Sequence, residues 1–300
     1  MPEKEKVVDS KNINDMYRQT KEISSSPLAI QQYLKTLFPK KGGKGKGLPT
    51  LILKKENVTI DRGEAIKYAQ VCGFKVSDQF VPAVYPHILA FSLHMELLLD
   101  KNFPFQIVGM VHINNTITQY KPISYDANLT LEVYFDEMKD HAKGKIIPII
   151  TKFYHYGELV WESRSENLKI TKKAESKGKP SGEAVLEGEQ EKWSLDTYAG
   201  LRYAKVAGDI NPIHLFPVTA KAFGFKRHII HGMWTKARAV AALQEEIGTH
   251  PFKVHVDFKL PIFLPAKITF THKTLEKGID FEVRDDKNEK PHVKGEVTFL

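Results

Sequence analysis

One cysteine, Cys72, stands in a chain of 300 residues, so no disulfide can form within it and a reducing compartment is expected. No stretch approaches eighteen uninterrupted apolar residues, which argues against a membrane-spanning helix. The first residues, Met1-Pro-Glu-Lys-Glu-Lys-Val-Val-Asp9, lack the apolar core of a secretory signal, and Val297-Thr-Phe-Leu300 is no peroxisomal address. A cytoplasmic protein is the expectation. Neither charge sign dominates strongly: 44 Lys and Arg face 36 Asp and Glu, a net charge of +8. Such a surplus accommodates nucleic acid, an anionic cofactor or an acidic carrier protein, and chooses none of them. A nucleic-acid module is disfavoured because aromatic and basic residues do not interleave on one face. The Gly-x-Ser-x-Gly elbow of a serine hydrolase is missing too, and so is the Gly-Lys-Ser/Thr ending that would make the Pro39–Gly47 loop, rich in Lys and Gly, a phosphate cradle.

What is there is a duplication. At a constant offset of 135 positions, Thr59-Ile60-Asp61 matches Ser194-Leu195-Asp196, Ile66-Lys67-Tyr68-Ala69 matches Leu201-Arg202-Tyr203-Ala204, and Val71-Cys72-Gly73 matches Val206-Ala207-Gly208. Each copy opens as a helix should, with a Ser/Thr cap and an acidic first turn. Ala65, Tyr68, Ala69 and Cys72 make an i, i+3, i+4, i+7 stripe, repeated by Gly200, Tyr203, Ala204 and Ala207. A longer helix is expected after each: one near Pro86–Leu99 with Ile88, Phe91, Ser92, Met95 and Leu99 inward, and one near Gly232–Ile247 stopped by Gly248. Extended segments follow, near Ile107–Tyr120, Leu129–Phe135, Lys145–Tyr156 and Leu159–Ile170. In the second copy they lie near Val254–Leu260, Lys267–Lys273, Ile279–Arg284 and His292–Leu300. Tyr120-Lys-Pro122-Ile123 and Lys259-Leu-Pro261-Ile262 close equivalent strands. The expected class is α+β: two antiparallel sheets, each wrapped around a central helix.

The domains follow: residues 1–27 a polar tail, 28–170 the first half (with a short helix over Leu28–Phe38), 171–192 a polar linker, 193–300 the second half. Only the second copy carries chemistry. Gly208-Asp209-Ile-Asn211-Pro212-Ile-His214 places a carboxylate, an amide and an imidazole beside a proline that breaks the helix, so Asp209 and His214 can face one pocket. At the place of Asp209 the first copy has Phe74, and Pro86-His87-Ile88 replaces His231-Gly232-Met233.

The septet with its His-Gly-Met about seventeen residues later resembles the hydratase signature of the MaoC-like family, which includes (R)-specific enoyl-CoA hydratases and 3-hydroxyacyl dehydratases. The resemblance covers roughly residues 50–300. It implies a double hotdog fold and reversible hydration of 2-enoyl thioesters carried on coenzyme A or an acyl carrier protein, with no metal or redox cofactor. Asp209 and His214 would handle the water, Asn211 would hold Asp209 or the water, and the Gly232 amide, at a helix N-terminus, would receive the thioester oxygen. Gly suits that place because no Cβ blocks the thioester. Phe74, Phe80, Tyr85 and Phe91 are expected as walls of the acyl pocket, Lys226 and Arg227 as phosphate contacts, and His231 as a turn-shaping residue at the substrate. Some family members have a pocket Ser or Thr where Val240 stands here; Thr235 is the available substitute. His214, His228 and His231 invite comparison with a metal set, but no cysteine or carboxylate cluster supports one. Two halves in one chain would complete the usual pair, leaving monomer and homodimer open. A thioesterase on the same fold and a non-catalytic acyl-thioester binding subunit are the rivals.

Overall fold

The computed structural model describes residues 18–24, 31–32, 35, 47–172 and 184–300. The Lys/Gly loop before Gly47, most of the expected Leu28–Phe38 helix and the centre of the linker lie outside the described residues. Gln31, Gln32 and Lys35 are helical.

The two copies fold alike. In the first, strand β1 (Gln19–Glu22) and strand β2 (Leu51–Val58) precede helix α1 (Arg62–Cys72), helix α2 (Pro86–Leu89) and helix α3 (Phe91–Leu99). Strands β3 (Met110–Gln119), β4 (Leu129–Phe135), β5 (Lys139–His141), β6 (Gly144–His155) and β7 (Glu158–Ile170) follow. In the second, strand β8 (Glu189–Leu195) precedes helix α4 (Ala199–Ala207), a 3-10 turn at Pro212–His214, and helix α5 (Pro217–Ala222). Helix α6 (Gly232–Ala242), helix α7 (Gln244–Ile247) and strands β9 (Phe252–Phe258), β10 (Ala266–Leu275), β11 (Gly278–Asp285) and β12 (Pro291–Phe299) complete it.

The half-sheets join edge to edge in the order β1-β2-β4-β6-β7-β3-β9-β12-β11-β10-β8. The seam is the antiparallel β3–β9 pair, with Ile117 opposite Val254 and Gln119 opposite Phe252. Pairing is antiparallel throughout except between β1 and β2. Helices α1 and α4 meet across the middle, where the matched Tyr68 and Tyr203 rings lie 6.1 Å apart. Both tyrosines are fully buried, as their shared stripe predicts.

Several expectations are corrected. The supposed tail contributes β1: Ile23 is buried, and Arg18 donates to the Phe135 carbonyl while its guanidinium lies 4.2 Å from the Tyr134 ring centre. The last residues assigned to the linker, Glu189–Lys192, belong to β8, whose outward positions are too polar to read as a strand. The first helices are not capped by Thr59 and Ser194. Asp61 accepts from the Glu64 amide at 2.9 Å, and its counterpart Asp196 accepts from the Tyr198 amide at 2.7 Å. The inward face near Pro86–Leu99 is also rotated: His87, Ala90, Leu93, His94 and Leu97 are buried, whereas Ile88, Phe91, Ser92 and Leu99 are half-buried. Two histidines occupy that face, and a hydropathy stripe that discounts histidine misses them.

The counterpart of His231-Gly232 changes as well. The Ile230 amide donates to the Ile262 carbonyl at 3.0 Å, and the Val81 amide donates to the Ile123 carbonyl at 3.0 Å. These matched bonds, made to the matched Pro-Ile strand ends, put Val81 where Ile230 stands and Pro82-Ala83 where His231-Gly232 stands. Asp209 to Ile230 spans 21 positions and Phe74 to Val81 only 7. The second copy alone therefore has room for the 3-10 turn and α5.

Candidate active site

Helix α4 ends at Gly208, and the next residue is Asp209. Asn211 is extended (φ −55°, ψ 124°), as a residue before proline should be. Its side-chain oxygen accepts from the Ile213 amide at 3.3 Å, so it caps the 3-10 turn, and its backbone amide donates to the Asp209 carboxylate at 3.2 Å. Asn211 thus holds Asp209 through the main chain, while its amide side chain shapes the turn that carries His214. Gly200 makes this turn fit: a Cβ there would lie 2.2 Å from the His214 carbonyl oxygen, so only glycine lets the loop lie on α4.

His214 is buried and donates from Nδ1 to the Ile229 carbonyl at 2.8 Å. That bond fixes the tautomer and leaves Nε2 as an acceptor. Burial pulls the His214 pKa below the usual imidazole value, against the opposing charge of Asp209, so the ring is neutral near pH 7. His231 stacks on it with centroids 3.7 Å apart, and Tyr203 lies on His231 at 4.8 Å. The His231 Nε2 donates to the Asp209 carbonyl at 3.0 Å, and burial holds its pKa at about 3. His231 is therefore a neutral clamp, 2% exposed, that ties the Asp209 loop to the start of α6.

Ligand atoms of Asp209, His214 and His231 all lie within 4.8 Å of one another. One water making two ordinary hydrogen bonds spans such a gap. A metal fits less well, because the two rings are stacked at 26° and one nitrogen of each is committed to a carbonyl. His228 is apart from the group, its Nε2 donating to the Thr197 carbonyl at 2.7 Å.

Gly232 is the first residue of α6, so its amide has no partner four residues back and sits at the positive end of the helix. The reason for glycine is more specific than an open path to a thioester: a Cβ would come within 2.9 Å of the Phe258 ring. Thr235, the substitute for the residue replaced by Val240, spends its hydroxyl on the His231 carbonyl at 3.3 Å.

The other expected residues are not gathered here. Phe74 and Phe80 line a separate cavity of about 230 Å³ with Val240, Ile247, Gln119 and Phe252, and neither Asp209, His214 nor Gly232 borders it. Occupying the place equivalent to the Asp209 site, it is that site's chemically silent twin. Tyr85 is buried edge-on against Tyr68 at 5.3 Å. Lys226 and Arg227 are exposed just before the His228–Gly232 segment.

Sequence reasoning missed Lys236. Fully buried one turn into α6, it donates to the Asn115 carbonyl (2.9 Å), the Asn115 side-chain oxygen (2.6 Å) and the Val254 carbonyl (3.0 Å). It pins the helix that begins at Gly232 to the seam between the halves. Burial pushes its pKa well below the ordinary lysine value. Three histidines, the buried His87 and His94 and the half-buried His112, lie near enough to feel one another's charge. Nothing in hydropathy flags such groups; only a buried lysine position on an all-inward helix would have.

Comparison with known proteins bears on the family and the fold. Residues 189–295 match the model of the MaoC like domain. The chain is 30% identical over 256 residues to 3-hydroxyacyl-thioester dehydratase X of Mycobacterium tuberculosis, covering 84% of this chain and 91% of that protein. It is 31% identical over 70 residues to the (R)-specific enoyl-CoA hydratase of Aeromonas caviae, 22% of this chain and 52% of that protein. The crystal structure of HtdX of Mycobacterium tuberculosis superposes with a TM-score of 0.72 at 28% identity, covering 83% of this chain and all 100% of that one. The chain belongs to the MaoC-like dehydratase family, and with it to the hydro-lyases of hotdog fold.

Proposed function

We propose that the chain interconverts trans-2-enoyl and (R)-3-hydroxyacyl thioesters in fatty-acid metabolism, with the acyl group carried on coenzyme A or on the phosphopantetheine of an acyl carrier protein. The reading rests on one observation: a carboxylate and a neutral imidazole within 4.8 Å, next to the free end of a buried helix. Asp209 and His214 Nε2 hold a water between them. Its oxygen bonds to C3 as one of its protons passes to the pair. The C2–C3 π electrons move toward the thioester, whose oxygen gains negative charge against the Gly232 amide. A proton delivered from the pair to C2 completes the addition, and dehydration runs the same steps backward.

Asn211 keeps the Asp209 carboxylate in place, and His231 fixes the loop. Lys226 and Arg227, exposed beside the entrance to α6, are suited to the phosphates of the carrier. The reaction as written uses no metal and no redox group. The halves, 19–170 and 189–300, make within one chain the pair that family members assemble from two hotdogs, so a monomer suffices and a homodimer is compatible. No helix among the described residues is long and apolar enough to cross a membrane. The single, buried Cys72 supports a reducing, cytoplasmic setting.

Loss of enoyl absorbance on crotonyl-CoA and longer homologues, with the product's chirality assigned, tests the proposal. An (S) product would overturn the stereochemistry, and unchanged turnover in His214→Ala would overturn the mechanism. Release of free thiol in place of hydration would favour a thioesterase.

A further inference from the structure

The duplicated fold supplies its own control for the inner wall of the catalytic site. Phe258 ends β9 and Gln119 ends β3, each three residues before its matched Pro-Ile pair. Across the seam Gln119 pairs with Phe252, and both border the silent cavity. The duplication exchanges that pair for Phe258 and the stretch of β3 around His112 and Ile113.

There β3 departs from regular pairing. His112 pairs with Asn167 and Asn114 with Glu166, which leaves Ile113 as an extra residue. Asn115, Ile117 and Gln119 are buried on one face of β3, with Thr118 also buried between the last two, so a regular strand would continue that face with Ile113. The bulge resets the alternation and turns His112 inward instead, as bulges beside functional sites do. Its ring lies 5.0 Å from that of Phe258, the ring against which Gly232 has no room for a Cβ.

His112 therefore stands where the silent cavity has the phenyl ring of Phe252. A phenyl needs no polar partner, whereas an imidazole brings two nitrogens to satisfy. One is answered by the backbone of Asn114. The other, Nε2, is buried with no partner among the described residues, and so is Nδ1 of His87. Burial holds the His112 pKa at about 4, and the charge of Asp209 reaches it. The ring is neutral at physiological pH, and with its donor used on Asn114, Nε2 is an acceptor. Buried ring nitrogens without partners are uncommon and call for a water or a ligand atom.

We infer that His112 Nε2 accepts a hydrogen bond from a hydroxyl on the acyl chain of the bound thioester, beyond C3, so that hydroxylated 2-enoyl thioesters are preferred over unsubstituted ones. The inference rests on the proposed hydratase reading. The oxygens at C1 and C3 already have partners in Gly232 and the Asp209–His214 pair. The Phe258 ring separates Gly232 from His112, which sets the hydroxyl several carbons further along. Burial of Nε2 places the contact on the acyl side, since the carrier must lead out to solvent.

The test compares kcat/KM for 2-octenoyl-CoA with that for its 5-, 6-, 7- and 8-hydroxy derivatives and for the matching methoxy compounds, which cannot donate. The wild type should favour one hydroxylated position by about tenfold, the scale of one net hydrogen bond. Its methoxy analogue should show no preference. His112→Phe should bring the ratio near one, and His112→Gln, which keeps an acceptor, should restore part of it. A wild type that favours no hydroxylated position, or a preference that survives in His112→Phe, overturns the inference while hydration of plain octenoyl-CoA leaves the hydratase reading standing. Turnover of none of the thioesters removes that reading and this inference together.

Discussion

The two halves share helices, strand order and even the hydrogen bonds that close their Pro-Ile strand ends, yet only one carries the Asp209–His214 turn. The difference is local. Around Asp209 the second half inserts a turn and a short helix, which lets His214 fold back over α4 at Gly200. Around Phe74 the first half runs straight to Val81 and keeps only a cavity with an apolar floor. A hotdog scaffold thus accommodates either arrangement, and what separates the halves is a few residues on one loop and the helix end they face.

The sharpest way to break the comparison is to disarm the working half. Asp209→Asn should lower kcat by about 10³-fold, the usual weight of a general acid–base group, with little change in KM. Steady-state assay on crotonyl-CoA checks it. An intermediate effect is expected at the seam. Lys236→Met keeps the stem but removes the donor that three buried oxygens share, and should cost about 3 kcal/mol in urea unfolding. Because the folded pKa of Lys236 is depressed, the unfolded chain binds the extra proton, so wild-type stability rises with pH toward 10.5. That rise should be weaker in Lys236→Met.

The histidines give the opposite end of the pH scale. His94 and His231 have pKa values of about 3 and His112 about 4, all through burial. Unfolding lets them take up protons below about 6.5, so stability falls as pH drops from 6.5 toward 4. Each contributes up to about 1.4 kcal/mol per pH unit in that window. His94→Gln, which can still bond Thr151, should flatten the slope by one such share in denaturation at stepped pH. The smallest effect lies at the helix starts: Asp61→Ala should lose about 1 kcal/mol with its cap, read by thermal melting. Asp196→Ala should lose a similar amount with its bond from the Tyr198 amide, its exposed bonds to Arg202 adding little.

How much of this the sequence disclosed follows from what hydropathy can register. Leu129–Phe135 is visible to the residue because its apolar positions alternate, and the Asp209–His214 turn is visible because proline forbids a helix there. Strands β2 and β8 are hidden by lysine and glutamate on their outer faces. The roles of Asn211 and Gly232 were legible only in part: the cap and the Phe258 contact depend on residues distant in sequence or on backbone angles. Lys236 and His112 were invisible, because a polar letter inside a helix or strand reads as surface until the partners on another element are known.

The continuous seam between β3 and β9 has a last consequence. Two identical subunits related by a twofold axis must alter both their sites with every substitution, so any gain at one is imposed on the other. Covalent fusion removes that obligation. Residue 112 is free to be histidine while 252 stays phenylalanine, and residue 209 an acid while 74 is not. The fused pair can specialise each side of one molecule independently, at the cost of half its catalytic capacity.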